Sequence, residues 1–375
     1  MAWTVTWETL RELAGFRAKT SSALSLYLDL DPSTAPTPAR AEMRLRSLLA
    51  RAEKELGSNG GRGHEERLAV GRDLDRIRSW WVGEFERDGA HGLALFTSSA
   101  DGLWRVLALT APVPDTVHIG RQLALAPLVG LAADDEGALV VVVDRERGRV
   151  FRVHDGRLEE VVDRSEEQPR RHDQGGWSQA NFQRHLDKLV ADHVKAVGDE
   201  IDERVRRSRG PQLVVVTRGP MRHEIESALS PQAREAIVGW ANADAHASPG
   251  ELLEVARPHL ERARGDRERE AVERWRDELG RGGRACAGWA ETLAAASTGR
   301  VEQLFLAGRA TREAFDCPAC GRAEAAPGRC PLDGAELAAG DGAELAVRHT
   351  LAHGGAVVRV APGELADDVA ALLRF

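Results

Sequence analysis

Hydrophobic positions along this chain change repeatedly between the two-residue period of strands and the longer period of helices. Residues 23–31, ALSLYLDLD, alternate apolar and polar side chains, which predicts a strand with one buried face. Residues 138–144, ALVVVVD, are apolar without interruption until the last, as expected for a strand covered on both faces. Further strands are predicted at residues 92–98, 103–110, 212–219, 301–308 and 355–361, with turns at Gly148 and Gly156 that make residues 137–163 a three-stranded meander.

Helical spacing of apolar residues marks the segments between these strands. The longest predicted helices cover residues 39–56, 65–87, 179–207 and 249–281. The last of these is rich in both acids and bases, which favours a solvated face with i,i+4 pairs over an RNA-binding arm. Shorter helices are predicted at residues 8–16, 221–229, 286–296 and 338–353, and at the chain end, which closes in LLRF.

The order of the elements predicts an α/β protein of three domains. Residues 1–134 form an N-terminal α/β domain in this prediction. Residues 135–282 form a central domain, where strand, glycine loop, helix, strand and helix follow one another. Residues 283–375 form a C-terminal α/β domain. A length of 375 residues agrees with two or three domains of about 100–200 residues each.

Charge and composition narrow the classes of function. The formal net charge is -8, which argues against binding to naked DNA or to other free nucleic acid through a basic surface. No stretch approaches about 18 uninterrupted apolar residues, so we expect no transmembrane helix. The first residues lack a basic segment followed by an apolar one, which predicts a cytoplasmic protein.

One polar stretch, residues 172–185 (HDQGGWSQANFQRH), directs attention to chemistry. Gly175 and Gly176 allow positive φ and let a backbone approach a ligand closely. Ser178 is a candidate N-cap of the helix that follows, whose free N–H groups favour anions. The lysine of a nucleotide-binding P-loop and the GxGxxG pattern of dinucleotide-binding folds are both absent, and many such glycine pairs are simple loops.

The side chains around the glycines leave several roles open. Gln179 could orient a water molecule, because its amide both donates and accepts hydrogen bonds. Trp177 could stack on a base or could pin the loop to its own domain. His172 and His185 are either general bases or solvated surface histidines.

Three of the four cysteines lie in a late cluster with metal-ligand spacing. Cys317 and Cys320 belong to CPACG, and Cys330 and Asp333 to CPLDG, so each half has the shape of a zinc knuckle. Gly321 and Gly334 free the backbone amides to turn toward the ligand atoms. The four side chains either hold a structural zinc ion or keep the same turns without metal. Cys286 is separate and is predicted to lie buried in a helix.

The segment GGWSQANFQRH resembles the GGQ loop and following helix of archaeal and eukaryotic type class-one peptide chain release factors. The three-domain order is similar as well, and VEQLFLAG resembles the start of their kink-turn-binding ribosomal-protein type domain. With the zinc-knuckle insertion and the LLRF ending, the chain looks like a bacterial branch of the superfamily that includes release factors, Pelota and Vms-like proteins.

The resemblance implies a ribosomal function. In the family this loop enters the peptidyl transferase centre, and its glutamine helps water to attack the ester of peptidyl-tRNA. Gly175 and Gly176 match the two glycines, Trp177 stands where the family has glutamine, and Gln179 is the nearest following glutamine. By the same resemblance, Trp177, Ser178 and Arg184 are expected to contact tRNA or the ribosome.

The family's codon-reading Asn-Ile-Lys-Ser motif is absent from residues 1–134. The resemblance therefore favours a codon-independent role, either ester hydrolysis during ribosome rescue or non-hydrolytic occupation of the A site during dormancy. The expected partners are the ribosome and peptidyl-tRNA, with a translational GTPase as a further candidate.

Overall fold

The computed structural model describes residues 5–58, 63–132, 138–154, 157–165, 178–208, 210–218, 221–308 and 310–375. The chain divides into two compact units, one formed by Met1–Ala132 with Glu268–Phe375 and the other by Ala133–Arg267. Both are mixed α/β structures, as predicted, whereas the division into three domains stays a prediction. No helix in the described ranges is both long and apolar enough to cross a membrane.

The N-terminal part of the first unit is built on an antiparallel sheet. Its elements are α1 (Trp7–Ala14), β1 (Ala23–Asp29), α2 (Pro38–Ser58), α3 (His64–Gly83), β2 (Gly92–Ser98), β3 (Leu103–Leu109), β4 (Thr116–Gly120) and α4 (Ala126–Val129). The strand order is β3-β2-β1-β4, and every neighbouring pair is antiparallel. Helices α2 and α3 cover one face of this sheet with a leucine-rich core.

Strand β1 is buried on both faces, so the predicted single buried face was wrong. Leu24 and Leu26 belong to the core under α2 and α3. Tyr27 belongs to the core on the opposite face, which also contains Leu345 and Val347. The alternating pattern did not reveal this second cover because it is supplied by other elements, including α1, α4 and helices from the far end of the chain.

The second unit is a three-layer structure around a five-stranded sheet. Its elements are β5 (Ala138–Val143), β6 (Arg147–His154), β7 (Arg157–Ser165), α5 (Ser178–Arg207), β8 (Gln212–Val216), α6 (Arg222–Ala228), α7 (Pro231–Glu235), β9 (Ile237–Ala241) and the first part of α8 (Pro249–Gly280). The strand order is β7-β6-β5-β8-β9. Strands β5, β8 and β9 run parallel to one another. The predicted meander of β5, β6 and β7 is confirmed.

Alternate residues of β5 feed two separate cores, as its unbroken apolar sequence predicted. Leu139 and Val141 pack under α5, α6 and α7. Val140 and Val142 pack on the other face with Leu252 of α8. The strand is fully buried because helices cover both faces of the sheet.

The C-terminal part of the first unit contains a second four-stranded sheet and a smaller three-stranded one. Its elements are β10 (Ala285–Ala287), α9 (Trp289–Ser297), β11 (Val301–Ala307), β12 (Glu313–Asp316), β13 (Ala323–Glu324), β14 (Ala338–Asp341), α10 (Gly342–Ala352), β15 (Ala356–Val360) and β16 (Val369–Leu373). The strand orders are β10-β16-β11-β15 and β13-β12-β14. Helices α9 and α10 pack on the larger sheet in the core that also holds α1 and α4.

Three predictions in this part were wrong. Cys286 lies in β10 and not in a helix, and α9 begins only at Trp289. Residues 338–341 form β14 before α10 begins. The chain end is β16, whose alanines and leucines favour a helix, but pairing with β10 and β11 and complete burial override that propensity.

Candidate functional site

Of the predicted catalytic site, the structure describes the helix that follows the double glycine. Gly175, Gly176 and Trp177 lie outside the described residues, as do the side chains of Ser178 and Gln179. Helix α5 begins at Ser178, so the backbone of Gln179 belongs to its first turn. The loop and its side chains therefore remain the sequence-based prediction.

The first half of α5 carries polar side chains that solvent can reach. Arg184, Asp187 and Lys188 are exposed, and Asp192 is exposed one turn further on. A rise of about 1.5 Å per residue makes the 30-residue helix about 45 Å long. The contact of Arg184 with RNA stays a prediction from the sequence.

The second half of α5 fixes the helix to the sheet. Val194, Val197, Ile201 and Val205 are buried there, as the apolar spacing predicted. A Cβ atom added to Gly148 of β6 would lie 2.2 Å from a methyl carbon of Val197. The glycine thus allows the helix to approach the sheet closely.

An ion-pair network adds to this support. Arg164 of β7 and Arg204 of α5 each donate to the Glu200 carboxylate at 2.7 Å. The hydrogen bond from Arg164 has the larger effect and that from Arg204 the next, and both lower the pKa of Glu200 below its ordinary value. The helix is therefore tied to the edge of the meander as well as to the core.

Sequence reasoning missed a cavity of about 640 Å³ between α5 and α6. Val194 and Met221 line its apolar part, and Asp187, Lys195 and Glu224 are charged residues on its wall. The lining comes from segments that are separated in sequence, so no local pattern pointed to it.

The second candidate site is a metal centre, and here the structure brings all four predicted ligands together. The ligand atoms of Cys317, Cys320, Cys330 and Asp333 all lie within 4.8 Å of one another. The sulfur atoms of Cys320 and Cys330 are 3.5 Å apart, and Cys317 Sγ lies 3.2 Å from a carboxylate oxygen of Asp333. This cluster could therefore bind a metal ion.

Two equivalent turns hold the ligands in place. The N–H of Gly321 donates to the carbonyl of Cys317 at 2.8 Å, and that of Gly334 donates to Cys330 at 2.9 Å. Both glycines have positive φ, at 82° and 75°, which other residues adopt only with strain. The two glycines therefore close the turns through backbone carbonyls, whereas the prediction directed freed amides toward the ligand atoms.

Hydrogen bonds within the cluster stabilise the ionised form of the Asp333 carboxylate. The N–H of Ala335 and the thiols of Cys317 and Cys320 donate to Asp333, and together they lower its pKa to about 2. A carboxylate that stays ionised is the form in which aspartate binds a metal ion.

The donor set fits zinc. Tetrahedral zinc with Zn–S bonds near 2.3 Å needs ligand atoms about 3.8 Å apart, and the separations of 3.2 and 3.5 Å in this cluster are close to that value. Cys317, Cys320, Cys330 and Asp333 would fill all four positions. A bound ion would supply a cross-link between the two turns and no open position for a substrate.

The first knuckle is anchored to the N-terminal part of the same unit. Arg17 donates from Nη2 to the carbonyl oxygen of Pro318 at 2.6 Å and to that of Cys317 at 3.4 Å. A Cβ atom on Gly321 would lie 2.6 Å from Nη1 of Arg17. The turn around Cys317 is therefore positioned by residues from both ends of the chain.

The known proteins that are similar to this chain include release factors. Residues 124–264 match the model of bacterial archaeo-eukaryotic release factor family 10. Over 328 residues the chain is 22% identical to peptide chain release factor subunit 1 of Archaeoglobus fulgidus, covering 84% of this chain and 78% of that protein.

Two solved structures are similar at low sequence identity. The archaeal translation termination factor aRF1 is 16% identical with a TM-score of 0.27, covering all of this chain and 99% of that one. Archaeoglobus fulgidus Pelota is 15% identical with a TM-score of 0.34, covering all of this chain and 93% of that one.

The family match over residues 124–264 and the curated relative both support a protein similar to peptide chain release factors. More particularly, residues 124–264 resemble a bacterial family of archaeo-eukaryotic type release factors.

Proposed function

We propose that this protein acts on the ribosome without reading a codon and hydrolyses the ester bond of peptidyl-tRNA in ribosome rescue. The observation that carries the proposal is the match to release factor family 10 over residues 124–264. That range contains Gly175 and Gly176, α5 and all five strands of the sheet that supports the helix.

In this proposal the residues around the start of α5 divide the work. Gly175 and Gly176 let the backbone approach the tRNA end closely. Gln179 orients the attacking water from the first turn of the helix. Trp177, Ser178 and Arg184 contact RNA around it. The buried half of α5 supports this role because a catalytic group must be held firmly to position a water molecule.

A second function is favoured by one observation in the sequence. Trp177 occupies the position in which the superfamily carries its glutamine. A protein with that substitution could fill the A site and stabilise a dormant ribosome without cleaving the ester. In either case the partner is the ribosome, and a translational GTPase is a candidate for delivery.

A peptide-release assay combined with ribosome pelleting tests both functions. Wild type, Gln179→Ala and the control Gln232→Ala are added to ribosomes that carry a labelled nascent peptide. Gln232 is an exposed glutamine on α7 of the same unit, far in sequence from the loop. We expect Gln179→Ala to lose about 100-fold in release rate, as for loss of one positioning group, while the control releases normally.

The other outcomes are equally informative. Pelleting by all three proteins without release by any of them would replace hydrolysis with occupation of the A site. Release that Gln179→Ala leaves unchanged would remove this glutamine from the catalytic role. Failure of the wild type to pellet with ribosomes would contradict both functions.

A further inference from the structure

Four aromatic side chains form a continuous row on the N-terminal part of the first unit. Trp104 of β3 lies 6.0 Å from Trp80 of α3, and Trp80 lies 5.3 Å from Phe85, measured between ring centroids. Phe85 stacks on Trp81 with centroids 4.1 Å apart and ring planes within 13°. We call Trp104, Trp80, Phe85 and Trp81 the aromatic row.

The aromatic row lies at the border of the core and is open to solvent. All four side chains are half-buried and pack on one side against the core under α2 and α3. Val82, next to the row, is 81% exposed. Each of the four rings therefore keeps part of its surface in contact with water.

Cationic side chains lead along one face of α3 to the row. Arg72, Arg76 and Trp80 follow one another at intervals of four residues, so each lies next to the following one on the helix surface. The guanidinium carbon of Arg76 lies 4.2 Å from the centroid of the Trp104 ring. Arg72 and Arg76 are both exposed.

The acidic residues of the fully described helix α3 do not form ion pairs with Arg72 or Arg76, so both guanidinium groups can contact a ligand. Glu66 accepts a hydrogen bond from Ser22, and Asp75 pairs with Arg78 at 2.7 Å. Asp73 is buried, and Glu65 is the one other acid of the helix. Within the described ranges, neither Arg72 nor Arg76 has a carboxylate partner.

The surface is also held rigidly. The buried Asp73 carboxylate accepts a hydrogen bond from Thr97 Oγ1 at 2.9 Å and one from the N–H of Ser99 at 3.0 Å. These bonds tie α3 to the end of β2, which leads directly into the strand that carries Trp104. Aromatic rings that are already in place lose little entropy when a ligand stacks on them.

We propose that the aromatic row with Arg72 and Arg76 binds unpaired RNA, with bases stacking on the rings and phosphates contacting the guanidinium groups. Stacking on aromatic side chains beside cations tolerates any base, because every base has a π face. The RNA contact would therefore be independent of sequence. The inference rests on the proposed function only for the source of the RNA, which would be the ribosome or its message.

The charge of the surface favours RNA over a protein partner. The guanidinium group of Arg76 lies directly against the Trp104 ring, and the exposed Arg72 lies one helical turn away on α3, although the chain as a whole carries a net charge of -8. A phosphate backbone supplies the missing anions at regular intervals. A protein partner remains an outcome that the experiment below can distinguish.

Fluorescence anisotropy with a labelled oligouridine of about twelve nucleotides tests the proposal on the full-length protein. We expect Arg72→Ala/Arg76→Ala to bind at least about tenfold more weakly than wild type. Its slope of log affinity against log salt should be smaller by about 1.4, since two phosphate contacts are lost. Arg46→Ala is the matched control, because Arg46 is 75% exposed on the neighbouring helix α2.

A second variant tests the rings. Trp81→Ala should weaken binding by a similar factor and reduce the quenching of tryptophan fluorescence by the RNA. Circular dichroism verifies that each variant is folded. If Trp81→Ala does not fold, the double arginine variant still tests the proposal.

The ribosome-pelleting assay, run with the same variants, separates this inference from the proposed function. Loss of oligouridine binding in the variants supports the inference even if no protein releases peptide. Absence of binding by the wild type, or equal binding by the double variant, overturns it. If the wild type does not bind oligouridine but the variants fail to pellet with ribosomes, the surface binds a protein, and the inference of RNA binding is overturned.

Discussion

Gly148 shows how one small residue decides where a functional helix lies. It is buried in β6, and any side chain there would overlap Val197 of α5. The sequence presented this glycine only as part of a turn. Its role as a contact point was hidden because the contact is with a residue of a helix that follows much later in the chain.

We expect Gly148→Ala to destabilise the protein by about 2 kcal/mol, because the added methyl group lies 2.2 Å from a Val197 methyl carbon and must displace α5 or the strand. Urea unfolding monitored by circular dichroism measures the change. Gly265→Ala is the control in the same unit, since a Cβ atom there meets nothing within 4 Å.

The control should be neutral or should gain up to about 1 kcal/mol, because alanine is the better helix former. Equal stability of Gly148→Ala and wild type would show that α5 does not need this close approach.

The two knuckles illustrate what an element can reveal on its own. Cysteine spacing and the two following glycines predicted the turns, and the structure confirms them. The pattern could do this because each knuckle is closed by residues within one turn of the ligand. Whether the two halves meet depends on the chain between them, and the structure places all four ligand atoms together.

We expect the purified protein to bind one zinc ion per chain and Cys317→Ser to lose it, because Cys317 supplies one of four ligands. Removal of the ion by a chelator should lower the melting temperature by roughly 4–8 °C, since it releases the cross-link between the turns. Metal analysis and thermal unfolding measure both effects.

Cys286→Ala is the matched control, because Cys286 is a buried cysteine of β10 outside the cluster. It should keep the zinc ion. Zinc-free wild-type protein with an unchanged melting temperature after chelator treatment would favour knuckles held by turns and packing alone.

At the scale of the whole molecule, the two ends of the chain share one core. Glu344 of α10 is buried, and its carboxylate accepts hydrogen bonds from the N–H groups of Leu125 at 2.6 Å and Ala126 at 3.0 Å. Burial raises the pKa of Glu344 to about 7, although the two backbone donors act against the rise. The carboxyl group thus joins the two parts of the first unit and titrates near neutrality.

Glu344 should make stability fall as pH rises from about 4.5 to about 7. Between these values the folded chain holds a proton that the unfolded chain has released, so the contribution is full below pH 4.5 and lost by pH 7. The shift corresponds to about 3 kcal/mol. His349 acts in the opposite direction, because burial lowers its pKa to about 4. Its contribution to the free energy of unfolding therefore increases as pH rises from about 4 to about 6.5.

The two contributions nearly cancel in wild type between pH 4.5 and 6.5, so the difference from a variant isolates Glu344. We expect the unfolding free energy of Glu344→Gln to increase with pH over this range more steeply than that of wild type. Urea unfolding at a series of pH values measures the difference. Parallel pH curves for the two proteins would contradict the raised pKa of Glu344.

The sequence by itself determined the α/β class, the positions of most helices and strands, the metal-ligand spacing and the double glycine before a long helix. These features depend on residues that are close together in the chain, where periodicity and turn chemistry act.

Only the tertiary structure decided that β1 is buried on both faces, that the chain ends in the strand β16, and that aromatic rings from α3 and β3 form one row. Each of these depends on contacts between segments far apart in sequence. Local patterns leave such contacts open, because burial and strand pairing are set by whichever segment arrives from elsewhere in the fold.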